Sequence, residues 1–205
     1  MIEGICKIIT KRIRKEMPEM DDEKAEIIQY GLEMIVGEFP KIFLIFIIGY
    51  LLGIGNLTLI SFFSILPYRT FSGGFHLKTH IGCIIGSTLF FCGNVMISKY
   101  LFFINGSVKL LSIVLIWIFS MIMIKLYAPA DTENVPILCS SQRKKQRILS
   151  YITMTITLIV ALLLHNRLLS NILIVGTLFQ SLSISRLMYK ITKNKYGYEA
   201  YEMET

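Results

Sequence analysis

The apolar and polar positions fall into two patterns along the chain. In residues 1–17, Ile2, Ile5, Ile9, Ile13 and Met17 recur near helical spacing, with Lys7, Lys11, Arg12, Arg14 and Lys15 between them. This predicts a basic amphipathic helix, suited to lying on an anionic membrane surface. Pro18 ends it, and Asp21, Asp22 and Glu23 give a second helix its acidic first turn. The apolar face of that helix is Ile28, Leu32, Ile35, Val36 and Phe39. Packing of both helices on the rest of the protein is an equally open reading.

From Lys41 onward the apolar runs lengthen. Six candidate spans lie at 41–54, 56–67, 81–97, 108–124, 148–164 and 168–188. The first two are short against the roughly 20 residues a bilayer needs. Gly53, Gly55 and Asn56 divide them, so 41–67 reads as a thin hairpin or as one kinked helix. Charge distinguishes these readings. With six spans and a cytoplasmic N-terminus, 18 of the 21 Lys and Arg lie inside, and only Lys99, Lys109 and Arg167 lie outside. With a single span over 41–67 the division is 10 against 11. The excess of cytoplasmic basic residues in membrane proteins favours six spans, both termini cytoplasmic, and the loops 67–80 and 125–147 on the cytoplasmic face.

Composition agrees. Hydrophobic residues make up 54% of 205, charged residues 17%, and mean hydropathy is +0.61. A soluble domain is about 25% charged, so an all-α polytopic membrane protein is expected. It divides into surface helices over 1–40, a transmembrane core over 41–189 and a cytoplasmic tail over 190–205. The first twenty residues lack the apolar core and cleavage site of a secretory leader, so the first span is expected to direct insertion. The net charge of +7 sits between apolar runs, which points to topology and anionic lipid rather than nucleic acid. Cys6, Cys83, Cys92 and Cys139 include no CxxC pair, so no metal or redox cofactor is expected.

The densest chemistry lies at Pro67-Tyr68-Arg69-Thr70-Phe71-Ser72-Gly73-Gly74-Phe75-His76-Leu77-Lys78-Thr79-His80-Ile81-Gly82-Cys83. A cysteine beside a histidine forms a nucleophile–base pair, and an imidazolium or a helix N-terminus favours the thiolate. Gly73 and Gly74 permit positive φ and close approach of a peptide. Arg69 suits a carboxylate or a loop-holding role. On one straight helix His76 lies about 10 Å along the axis from Cys83, whereas His80 is three residues away and better placed. For His76 to serve, residues 73–82 must bend. A second loop, Tyr127 to Ile137, holds Asp131 and Glu133, the only acids between Glu38 and Glu199. Asp131 suits orienting a base histidine or capping its own turn. The cluster Arg143, Lys144, Lys145 and Arg147 suits a topology anchor or a site for an acidic substrate segment.

Arg69, Gly73-Gly74-Phe75-His76 and Cys83 together resemble the signature of the accessory gene regulator B (AgrB) family of Gram-positive membrane cysteine endopeptidases. The Ala128–Ile137 loop is similar to that family's second motif. The resemblance implies His76 as base and Cys83 as nucleophile, with Arg69 and Gly74 as motif residues, and overrides the spacing preference for His80. It implies cleavage of an AgrD-like quorum-sensing pro-peptide through a thioester on the cysteine. An internal Cys or Ser then closes a thiolactone or lactone ring, and family members act as homodimers. The rival classes are a small transporter or exporter, a membrane S-acyltransferase and a non-enzymatic scaffold. A transporter wants charged residues inside its spans, and here these interiors carry almost none.

Overall fold

The computed structural model describes residues 2–17, 21–77, 79–100, 106–132 and 136–202. They form helices α1 (Ile2–Glu16), α2 (Asp22–Leu51), α3 (Gly55–Ser72), α4 (His80–Tyr100), α5 (Gly106–Tyr127), α6 (Ser140–Leu163), α7 (Arg167–Ser183), α8 (Arg186–Ile191) and α9 (Gly197–Glu202). Among the described residues there is no strand, and a bridge joins Gly73 to Ala130. The chain divides into two compact units, Met1–Ile47 and Ile48–Thr205.

In the first unit, Asp21 caps α2 by accepting the Lys24 N–H at 2.8 Å. On α1 the buried line is Cys6 and Thr10, with Ile9 and Ile13 half-buried and Met17 exposed. Pro40 lies inside α2. The expected boundary at residue 41 is therefore not a helix end: α2 continues through it. Pro40 gives up the bond to the Val36 carbonyl and its ring crowds that oxygen, yet the apolar run Phe39–Leu51 carries the helix onward.

In the second unit, the break expected within 41–67 is real, and a single kinked helix is excluded. The Gly53 N–H donates to Tyr50 O at 3.0 Å and the Ile54 N–H to Gly49 O at 2.9 Å, with Gly53 at φ +69°. This is a Schellman stop with glycine in its left-handed position. The helix α3 restarts at Gly55.

Among the described residues, three helices are long and apolar enough to cross a membrane: α4 from Ile81, α5 and α6. The run Phe39–Leu51 is a shorter apolar helix. The two remaining expected spans, now α3 and α7, carry the polarity of the interior. Of the 17 residues of α7, 11 are buried, among them Ser170, Asn171, Thr177, Gln180 and Ser181. Hydrogen bonds join α7 to its neighbours. Asn94 Nδ2 donates to Ser61 Oγ at 2.8 Å and to Ile172 O at 3.0 Å. Ser181 Oγ donates to Ser120 Oγ at 2.7 Å, and Ser170 Oγ to Ala161 O at 2.7 Å. Polar contacts of this kind hold helices together where lipid offers no hydrophobic contrast. Outside, Leu111, Leu115 and Ile118 of α5 and Ile156 and Leu163 of α6 are exposed.

The expected span 168–188 ends early. Helix α7 stops at Ser183, and Ser185 caps α8 by accepting the Met188 N–H. The chain then returns to the core: Tyr196 is buried, donates to Ile184 O at 2.9 Å, and stacks on Tyr189 with ring centroids 4.1 Å apart.

Candidate functional site

The site begins where α3 ends. Ser72 O accepts the Ala130 N–H at 2.8 Å, and the Gly74 N–H donates to Ala130 O at 3.0 Å. Gly73 between them has φ +72°, and a Cβ there would collide with Ala130 O. Only glycine meets both demands. The backbone that Gly73 lets approach is thus this chain's own 128–131 loop. Gly74, at φ +147°, lies against Ser183 Oγ.

The following residues are held through their carbonyls. Gln180 Nε2 donates to Gly73 O at 2.7 Å and to Ser72 Oγ at 2.9 Å. Arg69 Nη1 donates to Gln180 Oε1 at 3.1 Å, and its Nη2 reaches Phe75 O at 3.5 Å. The Arg69 guanidinium also lies over the Phe90 ring, 5.5 Å from its centre. Asn194 Nδ2 donates to His76 O at 2.7 Å. His76 therefore sits on an extended stretch fixed by α3, α7 and the C-terminal segment.

Leu77 turns the chain back along α4. Its Cδ1 would lie 2.8 Å from a Cβ at Gly86, and its Cβ 3.5 Å from one at Gly82. These two positions share a face, one turn apart, so the absence of side chains there makes the groove that admits Leu77. Thr79 caps α4: its Oγ1 accepts the Gly82 N–H at 3.1 Å, and its carbonyl accepts the Cys83 N–H at 2.9 Å. Cys83 thus lies at the end of the first turn of α4, half-buried. The straight helix from 76 to 83 assumed by the spacing argument does not form. Instead Arg69, Phe75, His76, Cys83, Ser87 and Phe90 line one pocket, with His76 exposed. The side chain of His80 lies outside the described residues.

The second motif forms the other wall of the turn, with the Ala128–Pro129 peptide cis. Tyr189 Oη donates to Ala130 O at 2.8 Å and to Asp131 O at 3.1 Å. Burial pushes the Tyr189 phenol far above its ordinary range, so it keeps its proton and stays a donor. Asp131 pairs with Arg143, Oδ2 to Nη1 at 2.9 Å, and also accepts the Ile137 N–H at 3.0 Å. Its buried Oδ1 has no partner among the described residues. The carboxylate that suited a histidine thus braces its own loop. Glu133, Asn134 and Val135 of this motif lie outside the described residues.

The basic cluster splits. Arg143 turns inward to Asp131, Pro129 O and the Tyr198 ring, and Arg147 Nε donates to Ala128 O at 2.8 Å. Lys144 and Lys145 remain exposed.

The family model described as Accessory gene regulator B matches residues 6–184. The chain belongs to the accessory gene regulator B family. That membership ties it to the agr quorum-sensing system and, with the three long apolar helices, makes it a membrane protein. It is similar to AgrB-like proteins of Listeria monocytogenes (strain EGD-e), 31% identical over 186 residues, and Listeria innocua, 30% identical over 186 residues; each alignment covers 89% of this chain and 88% of the relative. An AgrB-like protein of Clostridium perfringens (strain SM101) is 30% identical over 165 residues, covering 80% and 77%. No solved structure matches.

Sequence reasoning missed Gln180 and Asn194. Gln180 carried a usable signal, an amide in an apolar run, because polar residues within a span face the protein interior. Asn194, beyond the matched region, carried none.

Proposed function

We propose that this AgrB-family protein is a membrane cysteine endopeptidase acting on an AgrD-like pro-peptide, with Cys83 as nucleophile and His76 as base. The observation that carries the reading is the one pocket lined by both side chains, beside Arg69. His76 takes the Cys83 thiol proton, and the thiolate adds to the scissile carbonyl. The C–N bond then breaks, and the imidazolium returns its proton to the leaving amine. The retained peptide stays on Cys83 as a thioester. An internal Cys or Ser of that peptide attacks the thioester, closes a thiolactone or lactone ring and releases the Cys83 thiol. Intramolecular attack outruns water because effective molarities reach about 10⁵ M or more.

The proposal extends to a single peptidase domain with six spans, both termini and the active-site loop cytoplasmic, acting as a homodimer in the cell membrane of a Gram-positive bacterium. Eighteen of 21 basic residues on one side support that topology. The acidic segment of the substrate falls to Lys144 and Lys145, since Arg143 and Arg147 are engaged with the 128–137 loop.

Reconstitution in liposomes with the cognate pro-peptide, followed by intact mass, tests the reading. Cys83→Ala and His76→Ala are expected to abolish cleavage, His80→Ala to retain it, and the wild type to carry a peptide adduct on Cys83. A fatty-acyl adduct in its place indicates an S-acyltransferase. Equal cleavage by every variant overturns the nucleophile assignment.

A further inference from the structure

Beyond the matched family region, α8 and the segment after it form a second, open cleft. Its walls include Arg186, Leu187, Lys190, Lys195, Tyr196 and Glu199, and Asn194 lies at its edge. Arg186 is neutralised by Glu199, Nη2 to Oε1 at 2.7 Å. The cleft's positive charge therefore comes from Lys190 and Lys195, both exposed. Leu187 and Ile191, one turn apart on α8, are 66% and 64% exposed. This helix directly follows α7, the interior helix of the bundle.

We propose that this cleft binds the headgroup of an anionic phospholipid. Lys190 and Lys195 face the phosphate, while Leu187 and Ile191 enter the acyl layer. Basic residues at the edge of a bilayer attract anionic headgroups, and tyrosines favour the same level. An acidic peptide satisfies the lysines but leaves Leu187 and Ile191 in water; a lipid satisfies both. The cleft also borders the site described above. Asn194 follows the last turn of α8, with its N–H on Tyr189 O at 2.9 Å and its side chain on His76 O at 2.7 Å. A lipid that orders this turn steadies the His76 backbone. That consequence, unlike binding itself, rests on the peptidase reading.

The test uses the full chain. In detergent, native mass spectrometry reads retention of phosphatidylglycerol against phosphatidylcholine. Lys190→Gln/Lys195→Gln is expected to lower phosphatidylglycerol retention about tenfold or more, given roughly a fivefold contribution per lysine at a membrane surface. Lys144→Gln/Lys145→Gln is expected to leave it within about twofold, since these side chains lie elsewhere. Equal retention by the first pair, equal loss in the second, or displacement of the lipid by inorganic phosphate overturns the proposal. A higher KM for the pro-peptide in pure phosphatidylcholine vesicles, with lipid retention unchanged, assigns the cleft to peptide instead. In cleavage assays, phosphatidylglycerol is expected to stimulate wild type but not Lys190→Gln/Lys195→Gln. If no variant cleaves anything, the peptidase reading fails while the retention result still decides the cleft.

Discussion

The two walls of the His76–Cys83 pocket are built in different ways. Cys83 is placed locally, by a helix whose cap is four residues away at Thr79. His76 is placed by partners far along the chain: Gln180 lies 107 residues from Gly73, and Asn194 lies 118 from His76. One wall needs only a helix start; the other needs the whole second unit assembled. Substitutions should divide accordingly. Changes beneath His76 disturb stability and activity together, whereas changes at Cys83 disturb chemistry alone.

The largest effect is expected at Gly73. Alanine there must hold φ +72° and ψ −151°, a region open essentially to glycine, at about 1–3 kcal/mol, and displace Ala130, whose two backbone bonds contribute about 1 kcal/mol each. Gly73→Ala should lower unfolding stability in detergent by about 3 kcal/mol and abolish cleavage. A variant of wild-type stability would show that the 72–74 turn does not depend on the Ala130 contact.

Gln180→Ala comes next. Gln180 is fully buried and accepts from Arg69 while donating to Ser72 and Gly73. Its loss removes one bond of the Arg69 guanidinium and the short bond to Gly73 O, at about 1–3 kcal/mol each. Stability and kcat should fall together in this variant. Cys83→Ala is the counterpart, with cleavage lost and the melting temperature within a degree or two of wild type, as a near-isosteric change in a half-buried position implies.

These contrasts also explain what was readable in the sequence. Two helix ends were legible because they are written in adjacent residues: Asp21 before α2 and Gly53 after it. The choice of His76 came only through family resemblance, since spacing alone preferred His80; the structure has His76 and Cys83 lining one pocket. The fold-back depends on Leu77 meeting Gly86 and on Gly73 meeting Ala130, contacts no local period encodes. The division of the basic cluster was not legible for a related reason: four cations in five residues look alike until the fold turns Arg143 and Arg147 inward. Apolar counting also undervalued α7, because in this chain polarity marks the centre of the bundle.

A smaller effect sharpens the contrast between the thiols. Cys139 stands exposed at the start of α6, where the Gln142 and Ser141 backbone N–H groups push its pKa below the ordinary thiol value. A lowered pKa means more thiolate at any pH below it. Alkylation at Cys139 should therefore fall less steeply between pH 8.5 and 7 than in an unstructured peptide, read by mass spectrometry against the buried Cys6 and Cys92. Peptide-like pH dependence would remove those backbone bonds from the account. Adduct mapping at Cys83 accordingly calls for a Cys139→Ser background.

The smallest effect lies at the end of α8, which stops as α2 does. The Lys193 N–H donates to Lys190 O at 3.3 Å and the Asn194 N–H to Tyr189 O at 2.9 Å. Lys193, at φ 54°, occupies the left-handed position that Gly53 holds after α2 at φ 69°. The left-handed conformation costs a lysine about 1 kcal/mol or more, and glycine returns part of that through the entropy of the unfolded chain. Lys193→Gly should therefore stabilise by about 0.5 kcal/mol, and Gly53→Lys should destabilise by at least as much. Because the same turn carries Asn194 to the His76 carbonyl, Lys193→Gly should leave kcat unchanged. A loss of kcat at undiminished stability would mean that the lysine side chain, and not only the turn it closes, acts on the His76 wall.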